Sequence, residues 1–529
     1  MSESGTDRDE PPVAVPVLPE AEIVSAVDPS TNQPPQEPVG GMAASGVIWL
    51  TAQKWAIRLF GFVTIALLTR LLTPEDFGVL AAASTVLPFF YILADLGFTA
   101  YLVQVEKTTG RMLSTAFWYS LTAGMLLYGV LWFAAPALGA VFGDPRTVPV
   151  LQALSLWVLV TAVGSVPMAI LRREMRFSAI AVQGTVGAVI AQAIALVLAF
   201  GGYGVWALVA QSLAAAIVST ALAWISAKWR PLWAFDRKDL VRMARFGGQV
   251  LGVEFVAMLR AWGEAAVISS RLGSAMLGYM SIAQRLVQIV QDLTGSAIVP
   301  VTNVAFAKIR ESKERLRHAY LRALRMTYFV LSLPLTIVAV AAPLIIPIMF
   351  GSGWEQSYQV AQILAVAGSL SVGAWLDHGL YYAVGRPGAW FRYAVVIDAL
   401  TLLTTVLTVR WGLVAIAWGF LGVATFATVV RWFLVDRILQ AGLRTIVGPF
   451  LYLVVVVVCA GAAGWAVMLL TEGLPDLLSV VAIGATIVVV HLAISLVAAK
   501  STVAELARML ARSRWGARLS IVARMGTMA

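Results

Sequence analysis

Several charged side chains of this chain fall within long apolar stretches that could cross a membrane. The cations are Lys54, Arg58, Arg260 and Arg285, and the acids are Asp95, Glu254, Glu264, Asp292 and Asp377. A charge in the hydrocarbon core of a bilayer is costly, so such residues usually face a cavity or a partner inside a bundle. Arginine binds phosphate through two parallel hydrogen bonds. The pattern therefore predicts a water-filled cavity that suits an anionic head group such as a diphosphate.

These residues form two groups of candidates. Lys54, Arg58, Asp95, Arg260 and Arg285 are candidates for the substrate cavity, and Glu254, Glu264, Asp292 and Asp377 are candidates for ion coupling or pairing. The acids would neutralise the empty cavity or carry coupling protons. A structural alternative stays open, because Arg260 and Glu264 are one helical turn apart and can pair. Long side chains near helix ends can also reach the membrane interface. Asp398 is expected near a cytoplasmic helix end.

One predicted helix, 275–306, carries a polar stripe. Its members are Gln284, Arg285, Gln288, Gln291 and Asp292, which recur at helical spacing. A lipid-facing helix would not tolerate such a stripe, so we expect this face to line the cavity.

The composition indicates that transmembrane helices position these residues. Hydrophobic residues make up 60% of the 529, charged residues only 12%, and the mean hydropathy is +0.84. A soluble domain could not bury that much apolar surface. The sequence predicts an all-α polytopic membrane protein with about fourteen transmembrane helices, each of roughly 20 to 25 residues. The predicted segments are 46–70, 76–104, 112–135, 148–171, 178–200, 204–227, 246–270, 275–306, 321–349, 356–385, 389–409, 412–436, 447–470 and 478–499.

The two ends of the chain differ from the apolar remainder. Residues 1–40 hold eight acids, one arginine and eight prolines, a composition typical of a disordered tail. Residues 500–529 are basic and amphipathic, and Thr502 with Glu505 fits a helix capping box. This second tail is predicted to lie on the membrane surface as an anchor, with lipid sensing as the alternative.

The loops between the predicted helices alternate in charge. One set of loops and helix ends, with the C-terminal tail, carries 29 lysines and arginines, whereas the opposite set carries four. The positive-inside rule then places both termini in the cytoplasm. The net charge of +10 follows from this asymmetry, because the basic loops face anionic lipid. We therefore expect no nucleic-acid partner.

A weak internal repeat divides the chain into halves. The stretch 269–285 resembles 68–84, and 411–424 resembles 203–216 at a similar offset. Because each half would contain an even number of helices, the two halves would have the same orientation in the membrane. This is a known transporter arrangement. We expect two pseudo-symmetric six-helix lobes, 44–228 and 246–437, followed by two extra transmembrane helices in 447–499.

The sequence carries no motif for catalysis. It lacks GxxxxGK[ST], GxSxG and HExxH, its one cysteine is Cys459, and its three histidines are scattered. No metal, cofactor or catalytic residue is therefore predicted. The predicted extracytoplasmic loops are also short, which disfavours a membrane enzyme of polysaccharide assembly.

The stretch LTRLLTPEDFGVLAAASTVLPFFYILADLGFTAYLVQ (68–104) resembles the first loop and second helix of bacterial Wzx-type polysaccharide flippases. These belong to the multidrug/oligosaccharidyl-lipid/polysaccharide exporter superfamily. LRREMRF, GGYGVWALV and LYYAVGRPGAWFR support the resemblance, which covers about 44–440 and favours the exopolysaccharide/lipopolysaccharide subgroup.

The resemblance implies a function. It implies two lobes around a cationic cavity that moves undecaprenyl-diphosphate-linked oligosaccharide from the cytoplasmic to the periplasmic leaflet of the bacterial inner membrane. It also implies a coupling ion, either proton or sodium, and a polysaccharide polymerase and co-polymerase as partners. Whether the two extra helices form a groove for the lipid tail stays open. The alternatives are an ion-coupled multidrug antiporter of the same superfamily and a membrane-embedded polysaccharide-assembly enzyme.

Overall fold

The computed structural model describes residues 60–498, and only the backbone of 247–254, 293–301, 303 and 304 within them. The described residues are helical and contain no strand. The helices are α1 (described as Phe60–Leu71), α2 (Pro74–Asp95), α3 (Phe98–Gln104), α4 (Gly110–Phe142), α5 (Thr147–Arg173), α6 (Phe177–Phe200), α7 (Val205–Ala227), α8 (Arg237–Leu272), α9 (Ser274–Ile309), α10 (Lys313–Phe350), α11 (Gln356–Ser371), α12 (Gly373–Ala383), α13 (Pro387–Thr408), α14 (Leu413–Leu439), α15 (Leu443–Leu470) and α16 (Asp476–Ala498).

The predicted fold class, an all-α multi-pass membrane protein, is confirmed. In the described part of the chain, eleven helical spans are long and apolar enough to cross a membrane. The remaining long helices, α8 and α9, have 36 residues each and carry more polar side chains. The count of fourteen spans therefore stays a prediction. So does the division into two lobes, because the described residues fall within one compact unit. The tails 1–40 and 500–529 lie outside the described residues.

Two of the predicted segments are each built from two helices. Segment 76–104 breaks between α2 and α3, where Leu96 and Gly97 have φ angles of 44° and 72°. Segment 356–385 breaks between α11 and α12 at Val372. A left-handed residue cannot continue a right-handed helix, which accounts for the first break.

The start of α2 follows from four residues, Thr73 to Asp76. The Thr73 hydroxyl accepts a hydrogen bond from the Asp76 backbone N–H at 3.4 Å, and the Asp76 carboxylate accepts one from the Thr73 N–H at 3.1 Å. Pro74 occupies the first helical position, where its missing N–H has no cost. This is the capping box that the sequence indicates.

The helices meet most closely at one face of the bundle, which we call the short-loop side. It contains the connections 72–73, 143–146, 273 and 351–355. There α2 crosses α9 at two glycines. A Cβ atom on Gly78 would lie 1.7 Å from the Ser274 carbonyl oxygen, and one on Gly278 would lie 1.9 Å from that of Pro74. Only glycine permits this approach of the two backbones.

Side chains from the connection 351–355 and from α1 reinforce the crossing. The indole of Trp354 is fully buried, donates to the Thr69 carbonyl at 3.1 Å and packs edge-on against Phe77 and Tyr279. Arg70 donates to the Ile348 carbonyl at 2.9 Å. Helices that are distant in sequence are thus held together on the short-loop side.

A second connection lies at the opposite face, which we call the basic side because the arginine- and lysine-rich loops lie there. The linker 228–236 runs across the start of α4. Ser114 and Thr115 hydroxyls accept hydrogen bonds from the N–H groups of Leu232 and Asp236 at 2.8 and 3.0 Å. α8 begins at Arg237, earlier than the predicted start at 246, and Met243 is buried in a cluster with residues of α3, α4 and α5. The first turns of α8 therefore pack on the N-terminal helices.

The last two helices pack on α10. Val340 and Ala341 of α10 form a buried cluster with Ala460 of α15 and with Ile483 and Ile487 of α16. α15 and α16 also meet each other closely, since a Cβ on Gly464 would lie 2.7 Å from Ile487.

The glycine crossing predicts a steric effect. Gly78→Ala places a methyl group against the backbone of α9, and overpacking of this kind costs about 1–3 kcal/mol. We expect a lower melting temperature for purified protein in detergent. Gly129→Ala in α4 is the control, because nothing lies within 4 Å of its Cβ position and the extra methyl should be neutral or stabilising. Equal melting temperatures for the two variants would contradict the close packing.

Candidate functional site: a polar cavity among α8, α9, α11, α13 and α14

A cavity of about 670 Å³ lies inside the helix bundle. Most of its lining comes from five helices: α8, α9, α11, α13 and α14. The polar lining residues are Arg260, Gln284, Gln288, Gln291, Ser371, Tyr393, Asp398, Thr401 and Arg431. Leucine, isoleucine, valine, alanine and phenylalanine side chains, with Gly368, line the remainder. The cavity therefore combines an apolar wall with amide, hydroxyl and charged groups.

The cavity lies deep within the bundle. Arg260 precedes the end of α8 at Leu272 by twelve residues, a rise of about 18 Å. Asp398 lies midway along α13, and not near a helix end as expected from the sequence. Both residues therefore lie far from the ends of their helices.

Arg260 binds two carboxylates at the cavity wall. Its Nη1 lies 2.7 Å from Glu264 Oε1, and its Nε lies 2.8 Å from Asp398 Oδ1. The first contact is the one-turn pair that the sequence offered as an alternative role. The Glu264 side chain is buried, whereas Arg260 and Asp398 are partly exposed. One guanidinium between two carboxylates gives this cluster no net positive charge if both acids are ionised.

The polar stripe of α9 divides between two cavities. Gln284, Gln288 and Gln291 line the large cavity, and Gln291 also donates to the Gly368 carbonyl of α11 at 3.4 Å. Arg285 instead lines a separate pocket of about 300 Å³. The other polar side chains of that pocket are Gln192, Gln211 and Ser281. Asp292 is exposed and lines neither cavity. The structure thus does not bring Arg260 and Arg285 into one pocket.

Asp95 lies at the break between α2 and α3. Its Oδ1 accepts a hydrogen bond from the Thr99 hydroxyl at 2.6 Å, and its Oδ2 accepts one from the Thr99 N–H at 3.4 Å. The carboxylate is buried and lines neither cavity. It satisfies a backbone N–H in the first turn of α3, which the helix itself leaves unpaired.

Asp377 belongs to a buried cluster at the break between α11 and α12. It accepts a hydrogen bond from the Tyr320 hydroxyl, and its Oδ2 lies 3.4 Å from Arg431 Nη1. Arg431 Nη2 donates to the Leu370 carbonyl at 2.7 Å and to the Thr428 hydroxyl at 2.8 Å. The guanidinium therefore lies at the junction of α11 and α12, where it gives the Leu370 carbonyl a hydrogen-bond donor.

Arg431 is the cavity residue that the sequence analysis missed. It is not among the intramembrane charges named from the sequence, yet its side chain is only 4% exposed. Its position inside the apolar segment 412–436 is the signal that could have identified it.

The structure does not describe the side chains of three of the predicted site residues. Lys54 and Arg58 lie outside the described residues, and so does the side chain of Glu254 in α8. Among the side chains that are described, no group of three or more histidine, cysteine, aspartate or glutamate residues is placed to hold a metal ion.

The Arg260 cluster predicts an order of stability for two variants. Arg260→Met leaves Glu264 and Asp398 without their shared cation, whereas Asp398→Asn leaves the Arg260–Glu264 pair intact. An unpaired buried charged group costs about 2 kcal/mol or more. We expect thermal unfolding in detergent to show a clearly larger loss for Arg260→Met. The reverse order would mean that Arg260 does not hold both carboxylates.

The Asp377–Arg431 pair predicts a compensating effect. Either Asp377→Leu or Arg431→Met alone leaves an uncompensated buried charge, at a cost of about 3–5 kcal/mol. The double variant removes both charges, and we expect it to be more stable than either single variant. Melting temperatures of the three proteins test this prediction. Additive losses in the double variant would show that the two groups do not interact.

Comparison with known proteins identifies the family. A family model described as "Polysaccharide biosynthesis protein" matches residues 67–359, more than half of the chain. The succinoglycan biosynthesis transport protein ExoT of Rhizobium meliloti (strain 1021) is 28% identical over 60% of this chain. That alignment spans 65% of the relative, slightly less than two thirds of its length.

Two further relatives align over more of their length. The teichuronic acid biosynthesis protein TuaB of Bacillus subtilis (strain 168) is 25% identical over 81% of this chain and 89% of its own. The lipopolysaccharide biosynthesis protein WzxC of Escherichia coli (strain K12) is 23% identical over 74% of this chain and 80% of its own.

Solved structures share the fold. The lipid II flippase MurJ in an inward closed conformation superposes with a TM-score of 0.70 at 14% identity, over 86% of this chain and all of MurJ. An inward-facing multidrug resistance MATE family transporter gives a TM-score of 0.54 at 15% identity, over 73% and 96% of the two chains. The chain therefore belongs to the polysaccharide biosynthesis protein family, and its resemblance to the Wzx-type flippases, which are membrane transporters and not enzymes, is confirmed.

Proposed function

We propose that the protein moves undecaprenyl-diphosphate-linked oligosaccharide units from the cytoplasmic to the periplasmic leaflet of the bacterial inner membrane. The units would serve exopolysaccharide or lipopolysaccharide assembly. The observation that carries this proposal is the polar cavity inside a bundle of membrane-spanning helices. Such a cavity gives a hydrophilic glycan a path that avoids the hydrocarbon core.

The cavity lining suits a glycan. Glutamine amides donate and accept hydrogen bonds, as sugar hydroxyls do, and three of them line one wall. Tyr393 and Phe420 add aromatic surface for the faces of sugar rings. The volume of about 670 Å³ lies in the range of about 300–1,000 Å³ that is usual for small-molecule sites. Arg260 can form charge-assisted hydrogen bonds with acidic or hydroxylated sugars.

Alternating access would depend on the crossing of α2 and α9. The two glycines and Trp354 hold the helices together on the short-loop side, so a substrate would reach the cavity from the basic side. The positive-inside rule assigns the basic side to the cytoplasm, with both termini there. Outward opening requires the α2–α9 crossing to separate. Residues 44–228 and 246–437 would then move as two lobes, and 447–499 would be two additional helices.

The remaining parts of the proposal concern energy and partners. A proton or sodium ion would drive the transport cycle, and Glu264 or Asp377 would be the side chain that responds to it. A polysaccharide polymerase and co-polymerase would receive the translocated units. The relatives named for succinoglycan transport and lipopolysaccharide biosynthesis support a lipid-linked glycan as the substrate.

An ion-coupled multidrug antiporter is the second candidate. The observation in its favour is the charge of the Arg260 cluster, where two carboxylates surround one guanidinium. Such a cluster would not repel an organic cation. Drug-susceptibility profiles of strains with and without the protein separate the two functions, since only the antiporter predicts a broad change in tolerance.

The first experiment compares lipid-linked intermediates in strains with and without the protein. Without it, we expect single repeat units to remain on the cytoplasmic leaflet, where an impermeant reagent added outside cannot modify them, and surface polymer to be absent. Units that reach the periplasmic leaflet normally would show that another protein performs this step.

Export should depend on Arg260. We expect Arg260→Ala to abolish surface polymer while the protein still inserts into the membrane, because the cavity loses the cation that orders Glu264 and Asp398. The control is Arg410→Ala, which removes an exposed arginine that stacks on Trp411 outside the cavity. Polymer yield and membrane abundance are measured by immunoblot in the deletion strain. Normal polymer from Arg260→Ala would exclude Arg260 from the site.

A further inference from the structure

A further cavity lies beside the polar one, on the outer surface formed by α13 and α14. It is a groove of about 480 Å³ whose middle is lined by Val396, Phe426, Val430 and Leu434. Val396 and Phe426 are half exposed, as expected for side chains that face lipid. The groove is mainly apolar and open to the surroundings of the bundle, so a hydrocarbon chain is a suitable occupant.

One end of the groove is strongly basic. Arg386 precedes α13, Arg392 lies in its second turn, and Arg437 lies in the last turn of α14. Each of these helix ends is on the basic side of the bundle. The three arginine side chains therefore gather at the level where a lipid phosphate lies in a membrane.

These three arginines have no acidic partner among the ion pairs of the described side chains. All three are exposed. The neighbouring acid, Asp436, accepts a hydrogen bond from the Gly442 N–H at 2.9 Å and closes the end of α14. Three guanidinium groups that line one groove favour an anion between them, and phosphate is an anion that arginine binds through two parallel hydrogen bonds.

The motif GRPGAWFR (385–392) explains why two arginines reach the groove. Gly385 has a φ of 71°, which turns the chain after α12, and Pro387 starts α13. Trp390 is buried against the rings of Tyr381 and Tyr393. This aromatic anchor fixes the first turns of α13, and Arg386 and Arg392 then project from a rigid base.

The groove shares a wall with the polar cavity. Tyr393 and Ile397 line both, and the Tyr393 hydroxyl donates to the Ala427 carbonyl of α14 at 3.4 Å. A lipid whose phosphate lay at the arginines would thus have its hydrocarbon chain on one side of this wall. Sugars attached to the phosphate would lie close to the other side.

We propose that Arg386, Arg392 and Arg437 bind the diphosphate of a polyprenyl-linked glycan, with the polyprenyl chain in the α13–α14 groove and the glycan directed to the polar cavity past Tyr393. This inference rests on the proposed function, because it takes the transported substrate as the lipid. An ordinary anionic phospholipid offers similar head-group chemistry, and the experiment separates the two sources.

The test measures binding of undecaprenyl diphosphate to the full-length protein in phosphatidylcholine nanodiscs by native mass spectrometry. The variant is Arg386→Gln/Arg392→Gln/Arg437→Gln. Loss of charge-assisted hydrogen bonds should weaken binding by about tenfold or more. The matched control, Lys308→Gln/Arg310→Gln/Arg315→Gln, removes the same charge from exposed residues around the connection of α9 and α10, which line neither the groove nor the polar cavity. We expect the control to bind with unchanged affinity.

A second variant tests the apolar part of the groove without any change in charge. Val430→Trp fills the groove and should weaken binding of undecaprenyl diphosphate while leaving the melting temperature within a few degrees of the parent protein. The proposal also requires that phosphatidylglycerol at equal concentration does not displace undecaprenyl diphosphate. Equal competition would assign the groove to phospholipid and overturn the proposal.

The outcomes separate this inference from the proposed function. If the arginine variant binds like the parent protein and still restores surface polymer in the deletion strain, the groove proposal is overturned and the flippase function stands. If the deletion strain places its lipid-linked units normally in the periplasmic leaflet, the proposed function fails, and with it the assignment of the groove to substrate. If the arginine variant loses both lipid binding and surface polymer while the control variant keeps them, the result supports the groove proposal and the flippase function.

Discussion

A charge inside a membrane-spanning bundle must find its counter-charge within the protein, and two arginines determine much of the arrangement here. Arg260 joins α8 to α13 through Asp398. Arg431 joins α14 to α11 through the Leu370 carbonyl and to α12 through Asp377. Each interaction connects helices that are distant in sequence. Water in the apolar interior could not replace either set of contacts. The arrangement of the helices around the polar cavity therefore follows from these two arginines.

The two helix breaks also require polar partners from within the protein. A break inside a membrane-spanning helix leaves backbone groups without their usual partners, and it is tolerated only where the protein supplies others. Asp95 and Thr99 supply them between α2 and α3, and Arg431 supplies them between α11 and α12. Polar residues that look alike in the sequence therefore have different roles: Arg260 lines the polar cavity, whereas Asp95 stabilises an interrupted helix.

Closure of the short-loop side depends on a different kind of contact. The crossing of α2 and α9 at Gly78 and Gly278 contains no charged pair; it depends on shape. Such van der Waals contacts are strong when the two surfaces fit closely. They are lost when the helices move slightly apart, because dispersion attraction falls steeply with distance. A surface of small residues is thus suited to a junction that opens and closes, as the proposed transport cycle requires. The aromatic contacts of Trp354 add to its stability in the closed arrangement.

The sequence by itself determined the class of protein, most of the helices, the capping box at Thr73 and the family resemblance, because these depend on local periodicity and composition. It also indicated the Arg260–Glu264 pair, which needs only one turn of helix. Only the tertiary structure decided which charges meet. Arg285 and Arg260 face different pockets, Asp398 lies deep within the bundle, and Arg431 is buried. These outcomes depend on how α8, α9, α13 and α14 rotate and pack about their axes. Side-chain spacing along one helix does not specify the rotation of its neighbours, so the pairing of distant charges is fixed only when the helices come together.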